Sequence, residues 1–285
     1  MNPTVTLIVN TAQQPEFLAR VLAAVARQSD APEELIIAED GHDPETREAV
    51  GQARFSGRTV LQHVTQEKVG FRRSRILNIA IAQSCGEYVI FLDGDTIPHP
   101  DFVGDHRRLA RKGFFVQGHR ALVSEQAACW FGAGDFDLDR RRAFLGGDLK
   151  GWKHVYRWIA PFKRVLYDLD GVRGCNLGIW REDLLRVNGY DEGYVGWGCE
   201  DLDLASRLFH NSIWRLDVRG RALCYHLWHA PADRTNLAMN QSRLDGVILN
   251  RALRCERGLD DHLERVNRLE NSVALRPECE PEKKA

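Results

Sequence analysis

The sequence predicts an α/β fold with a mainly parallel central sheet flanked by helices. Over the first hundred residues, short apolar runs rich in β-branched residues alternate with stretches of helical period. That is the pattern of parallel strands joined by right-handed crossovers. Acids stand where two of the runs stop: Asp40 after the second, Asp93 and Asp95 at the fourth. Ligands of such sheets sit beyond the carboxyl ends of the strands, so these acids mark the expected site.

The elements follow in order. "TVTLIVNT" is a continuous apolar run and reads as a buried strand. "PEFLARVLAAVARQ" puts Phe17, Leu18, Val21, Leu22 and Val25 on one side of a helix. "ELIIAEDG" is a second buried strand, "DPETREAVGQAR" a more polar helix and "RTVLQHVTQ" a third strand. "RRSRILNIAIAQSC" is a third helix, ended by Gly86, and "EYVIFLDGD" drives a fourth strand into aspartates. After Pro100 the alternation weakens. "DFVGDHRRLARKG" reads as a helix and "FFVQGHRALV" as one strand. Residues 132–170, rich in Gly, Asp, Arg and aromatics, read as a loop-rich segment with short helices. "CNLGIWR", the helix "REDLLRVNG" and "YDEGYVGWGCEDLDLASRLFHN" restore clear signals, and "IWRLDVRGRALCYHLWH" reads as a strand pair or a strand and loop. Residues 235–270 carry helical spacing, and "RPECEPEKKA" reads as a disordered tail.

The 285 residues, 44% hydrophobic and 28% charged, suffice for one substantial core. A formal net charge of −1 leaves no global basic field, so no nucleic-acid partner is expected. No apolar run approaches the roughly 20 residues of a membrane helix, and "MNPTVTLIVN" lacks the pattern of a secretory signal. Seven scattered cysteines with no CxxC pair read as reduced thiols, and the expected location is cytoplasmic. No GxGxxG follows the first strand, which argues against a dinucleotide-binding dehydrogenase.

Four stretches carry chemistry. In "FLDGDT", strand alternation sends Asp93 and Asp95 to the same side. Paired carboxylates favour a divalent cation, although an Asp-Gly-Asp run also suits a tight turn. In "YVGWGCEDLDLASRLFH", Glu200, Asp201 and Asp203 fall in the first turn of a helix behind Gly196, Trp197 and Gly198. One acid there would be an ordinary cap. Three in a glycine-rich pocket suit a general base acting on a hydroxyl, with Trp197 offering a flat face to a sugar ring. In "YHLWHAPADR", His226 and His229 can be aimed the same way, as metal ligands or as two ordinary histidines. In "VGFRRSRILNIAI", Lys68, Arg72, Arg73 and Arg75 lead into the third helix and match phosphate oxygens, or form a solvated basic face.

Together these stretches resemble the family 2 glycosyltransferases of the GT-A fold, over nearly all of residues 4–232. "FLDGD" resembles their DxD motif. "GVRGCNLGIWREDLLRVNGYDEGYVGWGCEDLDLASRL" resembles the galactosyltransferase-type segment of bacterial chondroitin-polymerase-type and animal β-1,4-galactosyltransferase enzymes. The resemblance implies a GT-A domain over residues 1–234. Its Rossmann-like nucleotide-sugar-binding half would be 1–100 and its acceptor and catalytic half 101–234, with a helical extension and tail at 235–285. It implies Mn2+ or Mg2+ held by Asp95 and His229, with His226 as a further ligand. It implies a donor site of Asp40, Arg75, Asp93, Asp95 and Trp197, and catalysis by Asp201 as base with Glu200 beside it. The implied reaction is inverting transfer from a UDP-sugar to a glycan or glycolipid acceptor, in bacterial surface polysaccharide or lipopolysaccharide synthesis. Cys199 departs from the glycine of the animal enzymes, and Leu202 interrupts their acid run. Basic and aromatic residues at Trp152, Lys153, Arg157, Trp158 and Lys163 are candidates for an anionic acceptor or a peripheral membrane contact at the inner face. A Zn2+ hydrolase using His226 and His229, and a non-catalytic sugar-binding protein on the same fold, are the alternatives.

Overall fold

The computed structural model describes residues 2–55, 57, 59–154, 157 and 162–274. Trp158 and the tail at 275–285 lie outside the described residues. The first half alternates strand and helix: β1 (Val5–Thr11), α1 (Pro15–Ala26), β2 (Glu34–Glu39), α2 (Pro44–Gln52), β3 (Val60–Thr65), α3 (Arg73–Gln83) and β4 (Tyr88–Asp93). Then come β5 (Thr96–Pro98), α4 (Phe102–Leu109), β6 (Phe114–Gln117), β7 (Arg120–Val123), α5 (Glu125–Ala128), α6 (Phe136–Leu145), β8 (Leu149–Lys150) and β9 (Phe162–Leu166). The last part is β10 (Asn176–Trp180), α7 (Arg181–Val187), α8 (Glu200–His210), β11 (Trp214–Arg219), β12 (Cys224–His226), α9 (Leu237–Leu249) and α10 (Asp260–Ala274).

The strands form an eight-stranded sheet, β3-β2-β1-β4-β10-β6-β11-β9, and a four-stranded sheet, β5-β12-β7-β8. β3, β2, β1 and β4 are parallel, as their continuous apolar runs require, because helices cover both faces. Beyond β4 the order is mixed: β10 runs antiparallel to β4 and β6, and β9 antiparallel to β11. Two apolar clusters fill the layers, one under α1 with Leu18, Val21 and Leu22, the other under α3 with Ile76, Leu77 and Ala80.

Two readings of the sequence change here. "FFVQGHRALV" is two strands, not one: β6 belongs to the large sheet and β7 to the small. The break falls at Gly118, where a Cβ would sit 2.5 Å from the Ala222 carbonyl. β11 and β12 are likewise strands of different sheets. The segment 132–170 is more regular than its composition suggests, with the ten-residue α6 capped by Asp135 and β9 at the edge of the large sheet. Among the described residues no helix is long and apolar enough to cross a membrane, and the six described cysteines are free.

α8 is held from inside. Arg207 is wholly buried, pairs with Asp203 in the first turn, and donates to the carbonyls of Val187 at 2.6 Å and Gly189 at 2.8 Å. Removing one partner of a buried pair leaves the other charge uncompensated. Arg207→Leu should therefore lower the unfolding free energy by about 3–5 kcal/mol, read from urea denaturation; a loss below about 1 kcal/mol would contradict this account of how the helix is fixed.

Candidate active site

The site lies on the seam between the sheets. Three connections cross from large to small: β4 to β5 through Asp93-Gly94-Asp95, β6 to β7, and β11 to β12. β5 and β12 pair antiparallel with Thr96 opposite His226, and Leu227 N–H donates to the Asp95 carbonyl at 2.9 Å. This ladder sets Asp95 against the histidine segment. His226 Nε2 stands 3.5 Å from Asp95 Oδ1, and His229 Nε2 stands 3.1 Å from Oδ2. His229 Nδ1 donates to the Ala230 carbonyl at 2.8 Å, which leaves Nε2 turned toward Asp95.

One atom from each of Asp95, His226 and His229 lies within 4.8 Å of the others. One carboxylate and two imidazoles suit a divalent transition ion, so the residues present fit a metal. Burial pushes His226 down to about 4. The hydrogen bond with Asp95 lifts His229 to about 9. Burial works to raise Asp95, but the His229 hydrogen bond and the two imidazole charges outweigh it and hold the carboxyl below its ordinary value.

Asp93 turns elsewhere. It ends β4, and Asp95 lies past the strand in the turn to β5. Strand alternation therefore does not govern the pair: Asp95 meets the histidines and Asp93 meets Arg73. Asp93 Oδ1 accepts from Arg73 Nη2 at 3.2 Å. The same guanidinium donates through Nη1 to Asp201 Oδ1 at 2.9 Å and faces Glu200 Oε1 at 3.5 Å. Arg73 is the first residue of α3 and is buried. It ties the end of β4 to the start of α8. Burial raises the Asp93 pKa, partly opposed by Arg73. Burial, then the charge of Asp201, pushes Glu200 up to about 7.

Asp201, like Asp93 and unlike the buried Glu200, is partly exposed. Its Oδ2 accepts from Gly174 N–H at 2.8 Å. A Cβ on Gly174 would come within 2.5 Å of Arg73 Nη2 and of Asp201 Oδ2, so the glycine of "GVRGCN" is required by close approach. The loop before α8 is built from positive-φ residues, Gly196, Gly198 and Cys199 at φ 79°, 109° and 72°. Cys199 thus holds a left-handed conformation of the kind that glycine adopts freely. Asn240 of α9, wholly buried, donates to the carbonyls of Val195 at 3.3 Å and Trp197 at 3.4 Å and braces the loop.

Two expected donor residues stand apart. Asp40 is buried and saturated by its own chain: Gln66 at 2.8 Å, Lys68 at 3.0 Å and Arg72 N–H at 3.0 Å. It anchors the segment leading into α3. Arg75 donates to Gln66 at 2.8 Å and lies 4.0 Å from Glu192, away from the acids. The arginine at the centre is Arg73, which spacing alone does not separate from its basic neighbours. Trp197 is partly exposed, and the Arg234 guanidinium lies 4.8 Å from its ring centre.

An acid-rich seam at the carboxyl ends of parallel strands, with a metal-fitting triad beside it, defines a GT-A-type transferase. Residues 6–159 match the glycosyl transferase family 2 model and residues 131–226 the model for the N-terminal domain of galactosyltransferase. The chain belongs to the family 2 glycosyltransferases. It is 24% identical over 281 residues to a validoxylamine A glucosyltransferase of Streptomyces hygroscopicus subsp. limoneus, covering 91% of this chain and 57% of the relative. It is 24% identical over 245 residues to the chondroitin synthase of Escherichia coli, covering 78% and 34%. The chain thus spans between about a third and three fifths of the curated relatives it matches. The mannosyltransferase PcManGT of Pyrobaculum calidifontis, solved with GDP-Man and Mn2+, superposes with a TM-score of 0.55 at 18% identity, over 96% of this chain and 71% of that one. TarS of S. aureus gives 0.61 at 14% identity, over 97% and 46%. These likenesses establish the GT-A fold. Family membership favours sugar transfer over the Zn2+-hydrolase and non-catalytic readings.

Gly174→Ala should displace the Asp201 carboxylate and lower kcat about 100-fold with little change in Tm, measured by initial rates once a donor and acceptor pair is in hand. Near-parental turnover would show that the close approach does not matter. Glu200 supplies a pH test. Its folded pKa of about 7 exceeds the ordinary 4.5, so its stabilising contribution is full below about pH 4.5 and is lost as pH rises through about 7. Glu200→Gln removes that loss. The Tm of the variant relative to the parent should climb between about pH 5 and about pH 8 in calorimetry, and a constant difference would refute the assignment.

Proposed function

We propose that this chain transfers a sugar from a UDP-sugar to a hydroxyl of a glycan or glycolipid acceptor, with inversion at the anomeric carbon and with the help of Mn2+ or Mg2+. One observation carries the reading. A single guanidinium joins Asp93 to Asp201, two residues from an Asp95–His226–His229 donor set. Asp95, His226 and His229 would hold the cation, which supplies charge neutralisation at the diphosphate leaving group.

The protein's own residues do the rest. Asp201 accepts the proton of the acceptor hydroxyl as that oxygen forms its bond to the anomeric carbon and the bond from that carbon to the phosphate oxygen breaks. Gly174 N–H and Arg73 hold the Asp201 carboxylate in place. Arg73, already paired with three carboxylates, acts by fixing Asp201 and not by lending charge to the diphosphate. Gly196 and Gly198 give the Trp197 loop the freedom to close over the donor and exclude water. The helices of residues 235–274 belong, on this reading, to the same working unit, because α9 braces that loop. The Mn2+ complex of the mannosyltransferase supports a divalent ion, and the name of the chondroitin synthase supports a polysaccharide product.

Asp201→Asn should retain metal-dependent UDP binding, followed by calorimetry, while turnover falls about 10²–10⁴-fold. His229→Ala should weaken Mn2+ binding at least about tenfold. Unimpaired transfer by the first variant, or unchanged Mn2+ affinity in the second, would remove the corresponding role.

A further inference from the structure

We propose that the cleft bounded by Arg72, Arg75, Arg243 and Arg257 is a subsite for a carboxylate or phosphate carried on a sugar of the acceptor, which makes the acceptor an anionic glycan. The proposal rests on the transferase reading and adds the acceptor's class. The cleft encloses about 250 Å3, room for one substituted ring, and Glu192 and Tyr194 complete its walls.

Its charge is unbalanced. Four guanidinium groups face one lining carboxylate, Glu192, whose Oε1 is already taken by His262 at 2.6 Å and Asn78 at 3.0 Å. Each arginine carries five N–H donors, and few are spent. Arg72 gives one bond to the Glu67 carbonyl at 2.5 Å, and its Nε is buried with no partner. Arg75 spends Nη1 on Gln66, and its Nε lies 4.0 Å from Glu192 Oε2. Arg243 reaches Asp191 at 3.5 Å and lies 5.7 Å from the Tyr194 ring centre. The Arg257 side chain makes no hydrogen bond among the described residues. Planar guanidinium forks with free donors are matched to oxyanions, which they bind in bidentate fashion.

The position suits an acceptor. Arg72 directly precedes Arg73, which holds Asp201 and Glu200. Glu192 and Tyr194 lie on the segment that runs into the Trp197 loop, and Gly196 N–H ties that segment to the Phe71 carbonyl at 3.0 Å. A ligand in the cleft therefore touches both chain segments that place the base. The basic stretch before α3 is also accounted for: Arg73 serves the acids, and Arg72 and Arg75 face the cleft.

The test titrates the full chain with glucuronate, glucose 6-phosphate and glucose, followed by NMR shifts. Either anionic sugar should bind at least tenfold more tightly than glucose, weakening with added salt, and the tighter of the two names the oxyanion. Arg257→Glu and the double variant Arg243→Gln/Arg257→Gln should each lose at least tenfold in that affinity while Tm and Mn2+-dependent UDP binding stay at the parental level. Equal binding of glucose, binding of none of the three, or undiminished binding by both variants would overturn the subsite. UDP binding to the parent chain, with and without Mn2+, tests the transferase reading separately, whichever way the sugars behave.

Discussion

The antiparallel pairing of β5 with β12 is the constraint on which the candidate site depends. It is only three residues long, yet it opposes Thr96 to His226 and continues into the bond from Leu227 N–H to the Asp95 carbonyl. Without it Asp95, in the turn after β4, and His226 and His229 have no reason to meet. Backbone ladders fix register more sharply than side-chain contacts do, because a slip of one residue turns every side chain to the other face. Slipping β12 by one residue would replace His226 by Tyr225 or Leu227 opposite Thr96. The buried Tyr225 and Leu227 on either side of His226 oppose such a slip.

The second constraint is electrostatic. Arg73, Asp93, Glu200 and Asp201 place three carboxylates round one buried guanidinium. A buried charge is tolerated when paired and hydrogen-bonded, and costly otherwise. The arginine settles most of this debt, and the pKa of Glu200, pushed up to about 7, settles part of the rest by retaining a proton. The arrangement gives the two adjacent acids different characters. Glu200 is sealed in with an unpartnered oxygen, while Asp201 keeps a solvent-facing edge. Different environments for neighbouring carboxylates divide their roles.

The regular half of the fold was legible because its signals are local. Apolar runs and helical period gave β1 to β4 and α1 to α3, and the ends of β2 and β4 pointed to Asp40, Asp93 and Asp95. The first turn of α8 was legible from three acids behind Gly196 and Gly198. What escaped was long-range. Nothing local in "FFVQGHRALV" announces that Gly118 passes the chain from one sheet to the other, because the cause is Asn176 and Ala222 packing against the glycine. Arg73 could not be separated from Arg72 and Arg75 because the distinction lies in which side of α3 meets α8. Asp40 illustrates the converse. Its place at a strand end is legible, but its hydrogen bonds turn it toward residues 66–72.

These features combine at the loop before α8. Cys199 in a left-handed conformation, two glycines at positive φ and a partly exposed tryptophan form a segment with little cohesion of its own. Its order comes from outside: Asn236 and Asn240 of the α9 region, the Phe71 carbonyl, and Arg73 gripping the helix that follows. A loop held by a few directional bonds rather than by apolar packing can exchange those bonds at modest cost, since each contributes about 0.5–1.5 kcal/mol net. The helix it precedes cannot, because Asp203 and Arg207 lock it to the chain at Val187 and Gly189. Trp197, on a loop held by a few directional bonds, thus stands ahead of Asp201 on a helix fixed by a buried ion pair. On the proposed reading this suits a group-transfer site: the part that would cover the sugar is lightly held, and the part that would take the proton is fixed.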